Sequence, residues 1–358
     1  MIHILIGTKA QLIKMAPLMA LMKNQGVPYN FIHTGQHHET ITDLLSDFGL
    51  RAPDHTLYNG PDITSIAAMA KWGTKLIAKH GKHSPIWNND DKGIVLVHGD
   101  TISALIGAVC AKRAGLKVAH IESGLRSFNL FHPFPEELTR LGVFRLSDIL
   151  FCPGDWAASN VAHLTKKKVV NTGQNTLIDA IRLYLGTESR RDHLPSEPYV
   201  VISLHRFENI FNQTRLTWIL DQLIKLPEHL RKVFIMHPPT EKKLAAFGLR
   251  TKLEEAGFDL RNRYGYLDFI SLVSGAEFVV TDGGSNQEEC SYLDIPCLIM
   301  RKSTERKEGL GMNAMLSNYD EDVIASFHEF AANYRPGGAA TGEIHPSAII
   351  LENLGEYA

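Results

Sequence analysis

The chain is 358 residues long and carries 37 basic against 39 acidic side chains, a formal net charge of -2. That length exceeds one ordinary core and suits two domains of roughly 150 to 180 residues. The balanced charge advertises neither a nucleic-acid groove nor affinity for an anionic membrane, so an anionic ligand would have to be held by local groups.

No apolar stretch approaches the roughly 20 residues of a membrane span, and the opening MIHILIGTKA lacks a charged leader and a small-residue cleavage site. A soluble, cytoplasmic protein with no nucleic-acid and no membrane partner is expected. The four cysteines, Cys110, Cys152, Cys290 and Cys297, form no C-x-x-C pair, so buried reduced thiols are expected rather than disulfides or zinc ligands.

In chain order, IHILI reads as a first strand. After Gly7, residues Leu12, Met15, Ala16, Met19 and Met22 repeat at helical spacing, and Gly26 supplies a stop. Further apolar runs follow: GIVLVHGD, KVAHIES and DILFCPGD in the first half, then YVVISLHR, KVFIMHP, AEFVVTDGG and IPCLIMR in the second. These runs are continuous rather than alternating, which means strands buried on both faces in parallel sheets covered by helices. Between Leu185 and Tyr199, GTESRRDHLPSEP loses the apolar period and reads as a linker. A second polar, Gly-rich patch, RPGGAATGEIHPS, precedes AIILENLGEYA, which is expected to pack back as a helix. The halves show no residue-level repeat.

In open parallel sheets ligands sit at the carboxyl ends of strands. The residues just after the runs are therefore the informative ones: Gly7-Thr8-Lys9, His98-Gly99-Asp100-Thr101, Glu122-Ser123-Gly124, His205-Arg206, His237 and Asp282-Gly283-Gly284-Ser285. GGSNQEE, after FVVTD, should open a helix whose free N–H groups and dipole form a phosphate site. The competing reading is a plain turn capped by Ser285. One turn into that helix, Glu288 and Glu289 would be placed to accept hydrogen bonds from ribose hydroxyls. Lys9 and Lys14 are candidate anion ligands; solvation at a helix start is the alternative, less so for Lys14 between Ile13 and Met15. Neither a G-x-G-x-x-G nor a P-loop motif is present.

Three acids, Asp100, Glu122 and Glu136, share this rim in the first half. Pro135 suits a first helical turn and puts Glu136 near the positive end of the dipole. Alternatively Asp100 caps the following helix and Glu136 pairs with Arg140 at i,i+4. His205 and His237 offer proton transfer and Arg206 a cation, against the usual reading of a satisfied core histidine. His37-His38-Glu39 lacks the spacing of a metal site and reads as the lead-in to a helix.

The ordered series GTKAQLIKMAPL, TGQHHE, VHGDT, HIESGLRS, PFPEELTR, NTLIDAI, LHRFEN, YLDF, TDGGSNQEE and MRKSTER resembles the UDP-N-acetylglucosamine 2-epimerases over nearly the whole chain. The resemblance implies a GT-B type α/β fold, two Rossmann-like α/β/α domains facing a central cleft. We assign residues 1–175 to the first domain, 176–345 to a second, UDP-binding domain, and 346–358 to a segment packing back on the first. It further implies that Lys14, Asp100, Glu122, Glu136, Arg140 and His205 surround the reacting sugar. His237, the Gly283, Gly284 and Ser285 turn and Glu289 would hold pyrophosphate and ribose, with Arg206 as a further substrate contact.

Lys9 stands where the family usually has an arginine, keeping the charge but losing the bidentate fork. The family's Ser-Gly-Gly turn is permuted here. Near LYNGPDI the Gly-Gln that helps bind an activating second UDP-sugar is missing, although Gln36 and His37 remain, and KEGLGMNAML departs from the usual continuation. The implied partner is a UDP-sugar, the implied assembly a homodimer, and the implied chemistry needs no metal and no nicotinamide cofactor. A hydrolysing 2-epimerase, a GT-B glycosyltransferase and an inactive UDP-sugar sensor are the alternatives.

Overall fold

The run IHILI forms β1 (Ile2–Ile6), buried along its whole length, and it starts the first of two parallel sheets. The computed structural model describes residues 1–37, 41–63, 65–130, 135–185, 194–304, 306–335, 337 and 342–357. The chain divides into a unit made of Met1–Ala180 with Glu343–Ala358 and a unit made of Ile181–Gly342.

Among the described residues the first unit holds β1, β2 (Tyr29–His33), β3 (His55–Thr56), β4 (Ile94–His98), β5 (Lys117–Ile121), β6 (Ile149–Cys152) and β7 (Lys168–Asn171). Their order is β3-β2-β1-β4-β5-β6-β7, and every pairing is parallel. The second unit holds β8 (Tyr199–Ser203), β9 (Arg231–Met236), β10 (Asp259–Asn262), β11 (Phe278–Thr281), β12 (Cys297–Ile299) and β13 (Ala314–Leu316), ordered β10-β9-β8-β11-β12-β13, again all parallel.

The continuous apolar runs are explained by two-sided burial. On β8, Val200 and Ile202 enter one core cluster while Tyr199 and Val201 enter the cluster on the opposite face. Each such aliphatic side chain contributes roughly 1.5 to 3 kcal/mol of burial. The eight runs read from the sequence all fall on strands. Those it passed over, β3, β7, β10 and β13, are the four sheet edges, whose residues are mostly partly exposed and form no continuous apolar run, and β2, an interior strand with buried Asn30 and His33. Asn30 earns its place by donating to Ile86 O at 2.7 Å while contacting His3 Nδ1 at 2.8 Å.

Helix Lys9–Asn24 ends as its sequence suggests. Gly26 at φ 69 lets Val27 N–H reach Met22 O at 2.9 Å and its own N–H reach Lys23 O at 3.3 Å, the Schellman arrangement. Helix Pro346–Asn353 packs on helix Lys9–Asn24, both within the first unit. Gly186 to His193, the start of the linker, lie outside the described residues, and the division between units falls inside helix Leu177–Leu185. The four cysteines are free and buried.

Candidate active site

In the first unit the site is built on the turns after β4 and β5. β4 ends at His98, Gly99 follows at φ 64, and Thr101 caps helix Ile102–Ala114 by accepting Ala104 N–H at 3.2 Å. Thr101, not Asp100, is therefore the cap, and the Asp100 carboxylate is left to other work. Its Oδ2 accepts from Arg140 at 2.5 Å. Arg140 also donates to Glu137 Oε2 at 3.1 Å, so the pairing is i,i+3 with Glu137 rather than i,i+4 with Glu136.

Glu137 is fully buried and also accepts from Arg126 Nε at 2.5 Å and Ser127 N–H at 3.0 Å. Burial pushes its carboxyl up, but Ser127 N–H, Arg126 and Arg140 together hold it below the usual carboxylate value. Pro135 is the N-cap of helix Glu136–Leu146 and Glu136 its first residue, one position later than expected for the proline. Glu136 Oε2 is buried and makes no hydrogen bond among the described residues.

Glu122 follows β5 at φ 63, a left-handed conformation that costs a non-glycine residue roughly 1 to 2 kcal/mol. Its Oε1 accepts from Lys14 Nζ at 2.7 Å and from Asn175 Nδ2 at 2.8 Å, and its Oε2 lies 3.6 Å from His98 Nδ1. The Lys14 and Glu122 side chains are only 5% and 7% exposed. A buried pair of this kind survives only with close geometry and additional hydrogen bonds, which Asn175 supplies.

Lys9 is the first residue of its helix and half-buried, behind Thr8, whose hydroxyl accepts Gln11 N–H. Gln36 is buried, its Oε1 accepting from Ser103 at 2.6 Å, and half-buried His37 donates its backbone N–H to Gly7 O at 3.0 Å. His38 and Glu39, and Pro133 and Phe134 of the PFPEE segment, lie outside the described residues.

In the second unit Asp282, at the end of β11, organises the turn after β8. It is fully buried and accepts from His205 N–H at 2.9 Å, Arg206 N–H at 3.1 Å and Asn209 Nδ2 at 3.0 Å. The His205 ring lies 4.9 Å from the His237 ring, and His237 Nε2 is 3.0 Å from Ser203 Oγ. Burial lowers the His205 pKa; Asp282 opposes the shift, and Arg206 and Arg263 reinforce it.

Gly283 is the N-cap of helix Gly284–Leu293, and Ser285 is exposed and makes no capping bond. A Cβ at Gly283 would sit 2.7 Å from His205 Cε1, so only glycine lets the imidazole come this close. Helix geometry leaves the N–H groups of Gly284, Ser285 and Asn286 without intrahelical partners, while Gly283 N–H is already donated to Thr281 Oγ1 at 3.0 Å. Glu289 accepts from Asn286 Nδ2 at 2.8 Å. Glu288 is fully buried and salt-bridged to Arg306 at 3.1 Å, which sets it in the interior rather than at the helix mouth.

The structure thus brings together Lys14 with Glu122, Asp100 with Arg140, and His205 with His237 and Gly283. Sequence reasoning missed two residues that hold these groups, Asn175 and Glu137, and named Asp282 on the rim without giving it a role. Asn175 opens the NTLIDAI motif and so left a signal; Glu137 was hidden behind Glu136.

Two parallel α/β units with charged and glycine-rich turns at their strand ends define the GT-B class of two-domain enzymes. A glycosyltransferase of kitacinnamycin shares the fold, with a TM-score of 0.58 at 10% identity, covering 100% of this chain and 95% of its own. The family model described as UDP-N-acetylglucosamine 2-epimerase matches residues 19–340, and the chain belongs to that family, which makes it an isomerase.

A UDP-N-acetylglucosamine 2-epimerase of Methanococcus maripaludis is 32% identical over 367 residues, 98% of this chain and 97% of its own length. A UDP-2,3-diacetamido-2,3-dideoxy-D-glucuronate 2-epimerase of Pseudomonas aeruginosa is 30% identical and covers 90% of each chain. The Methanocaldococcus jannaschii UDP-GlcNAc 2-epimerase in complex with UDP-GlcNAc and UDP superimposes with a TM-score of 0.84 at 28% identity, covering 99% of both chains.

Proposed function

We propose that this chain interconverts UDP-N-acetylglucosamine and UDP-N-acetylmannosamine, or a close UDP-2-acetamido sugar, without net hydrolysis. The reaction is elimination of UDP to a glycal followed by re-addition. The observation that carries this reading is the set of three differently held carboxylates in the first unit. Asp100 is tied to Arg140, Glu122 is gripped by Lys14 and Asn175, and Glu136 presents an oxygen with no partner among the described residues.

The C2 proton of an N-acetylhexosamine is not acidic, because no carbonyl adjoins C2, so a base alone cannot invert that centre. Breaking the C1–O bond to UDP first puts positive charge on the ring. A carboxylate then takes the C2 proton as the C1–C2 double bond forms, leaving glycal and UDP. Re-addition reverses the bookkeeping: a proton returns to C2 from the opposite face and the UDP oxygen bonds to C1. Asp100, Glu122 and Glu136 serve as proton-transfer and cation-stabilising groups, Lys14 and Arg140 orient two of them, and His205 stabilises the leaving group.

The pyrophosphate is assigned to the open N–H groups of helix Gly284–Leu293 with Arg206 and His237, and the ribose to Glu289. The M. jannaschii relative bound to UDP-GlcNAc and UDP supports the ligand class. Proton NMR of the protein with UDP-N-acetylglucosamine in heavy water tests the proposal. Deuterium at C2 with a UDP-linked manno product is expected; free sugar would point to hydrolysis, and no exchange without an acceptor would point to a transferase.

A further inference from the structure

We infer that His120 is a positioning residue for this reaction: its imidazole ties the turn that carries Asp100 to the turn that carries Glu122 and so sets where the two carboxylates stand. The inference rests on the epimerase reading above. His120 lies on β5, two residues before Glu122, and is fully buried, so it cannot itself meet substrate. Its Nε2 is 2.8 Å from Gly99 O, the carbonyl directly before Asp100, and its Nδ1 is 3.0 Å from Ser123 Oγ, the hydroxyl directly after Glu122. A carbonyl can only accept, so Nε2 carries the hydrogen and Nδ1 accepts from Ser123.

The Glu122 turn needs such a tie: Glu122 stands at φ 63, and left-handed backbone at a non-glycine residue persists only where the surroundings over-determine it, whereas Gly99 adopts φ 64 without strain. The strand ladder pins each turn from below, Gly99 N–H to Ile121 O at 2.9 Å and Ser123 N–H to Phe151 O at 2.8 Å. Among the side-chain hydrogen bonds described, the His120 imidazole is what links the two turns to each other. The spacing between them is tight: a Cβ at Gly99 would lie 3.2 Å from Glu122 Oε2.

The Phe144 ring packs on the imidazole, 5.5 Å between centroids. Burial holds the His120 pKa down to about 4, against the opposing pull of the Gly99 carbonyl, Glu122 and Asp100, with Arg140 reinforcing burial. The ring is therefore neutral where most enzymes work, and both its nitrogens are engaged, Nε2–H by Gly99 O and Nδ1 by Ser123 Oγ, which separates positioning from acid–base chemistry.

The test uses His120→Leu, which removes both hydrogen bonds, His120→Gln, whose amide can still donate toward Gly99 O, and Ser123→Ala, which removes only the Nδ1 partner. Turnover by C2 deuterium exchange, the UDP dissociation constant by calorimetry, and Tm are measured for each. His120→Leu is expected to lose roughly 100-fold in kcat, the effect of about 1 Å of misplacement, while UDP affinity stays within about twofold. His120→Gln should recover about tenfold of that loss, and Ser123→Ala should lose roughly three- to tenfold, smaller than the double deletion.

Turnover within about twofold of the parent in both His120→Leu and Ser123→Ala would overturn the inference, as would a parallel loss of UDP affinity and kcat. If His120→Leu does not fold, the other two variants decide on the same criteria. Absence of deuterium exchange in the parent protein would instead overturn the epimerase reading.

Discussion

At the scale of single residues, the Lys14–Glu122 pair bears on stability and, under the proposed reaction, on chemistry. The two charges lie 2.7 Å apart and nearly out of water. Replacing Glu122 with Gln keeps the shape but removes a carboxylate that the proposed reaction uses. Turnover should fall by roughly 100-fold or more while UDP binding persists, read by the heavy-water exchange and by calorimetry. Near-native exchange would remove Glu122 from the reaction. Lys14→Met acts differently, because it strands a buried carboxylate with Asn175 as a remaining donor. A loss of about 3 to 5 kcal/mol is expected in urea unfolding, and the double variant Lys14→Met with Glu122→Gln should recover most of it. If the two losses simply add, the pair is not coupled as the geometry requires.

At the scale of elements, two turns depend on single residues, Asp282 and Gly99. Asp282 accepts three hydrogen bonds from the His205 to Asn209 segment, and so fixes the backbone on which His205 and Arg206 stand. Asp282→Ala should cost about 1.5 to 3 kcal/mol for each charge-assisted bond left unmade in full, and should weaken UDP binding at least tenfold. Unchanged UDP affinity by calorimetry would show that the segment keeps its course without Asp282. In the first unit, Gly99→Ala adds left-handed strain of roughly 1 to 2 kcal/mol and a methyl group 3.2 Å from Glu122 Oε2. Turnover should fall more than Tm does. Apolar runs revealed every interior strand but β2, whereas the edge strands β3, β7, β10 and β13 stayed hidden because strands left partly exposed have no reason to be apolar throughout.

At the scale of the whole molecule, the buried ionisable groups set the response to acid. His120 has a folded pKa of about 4 against an ordinary 6.5, so the unfolded chain binds a proton first as the pH drops. Stability should therefore decline from about pH 6.5 to about pH 4, by a total of about 3 kcal/mol from this residue. Glu137 works in the next window down. Its folded pKa lies below the ordinary 4.5, so the stability it contributes is present above that value and is lost as the pH falls through the folded pKa. Urea midpoints measured against pH should slope upward through the histidine window, and His120→Leu should flatten that slope; an unchanged slope would assign the acid response elsewhere. By itself, the sequence determined the parallel α/β class, most interior strands and the rim of acids, lysines and histidines, because strand burial and helix starts are local and leave periodic or terminal marks. Only the tertiary structure decided how each charge is held. Lys14 meets Glu122 across 108 positions, Asn175 meets it across 53, and Arg140 chooses Glu137 and Asp100 over Glu136. Such partnerships depend on the order of strands in a sheet, which brings distant turns to one edge and which no local pattern encodes.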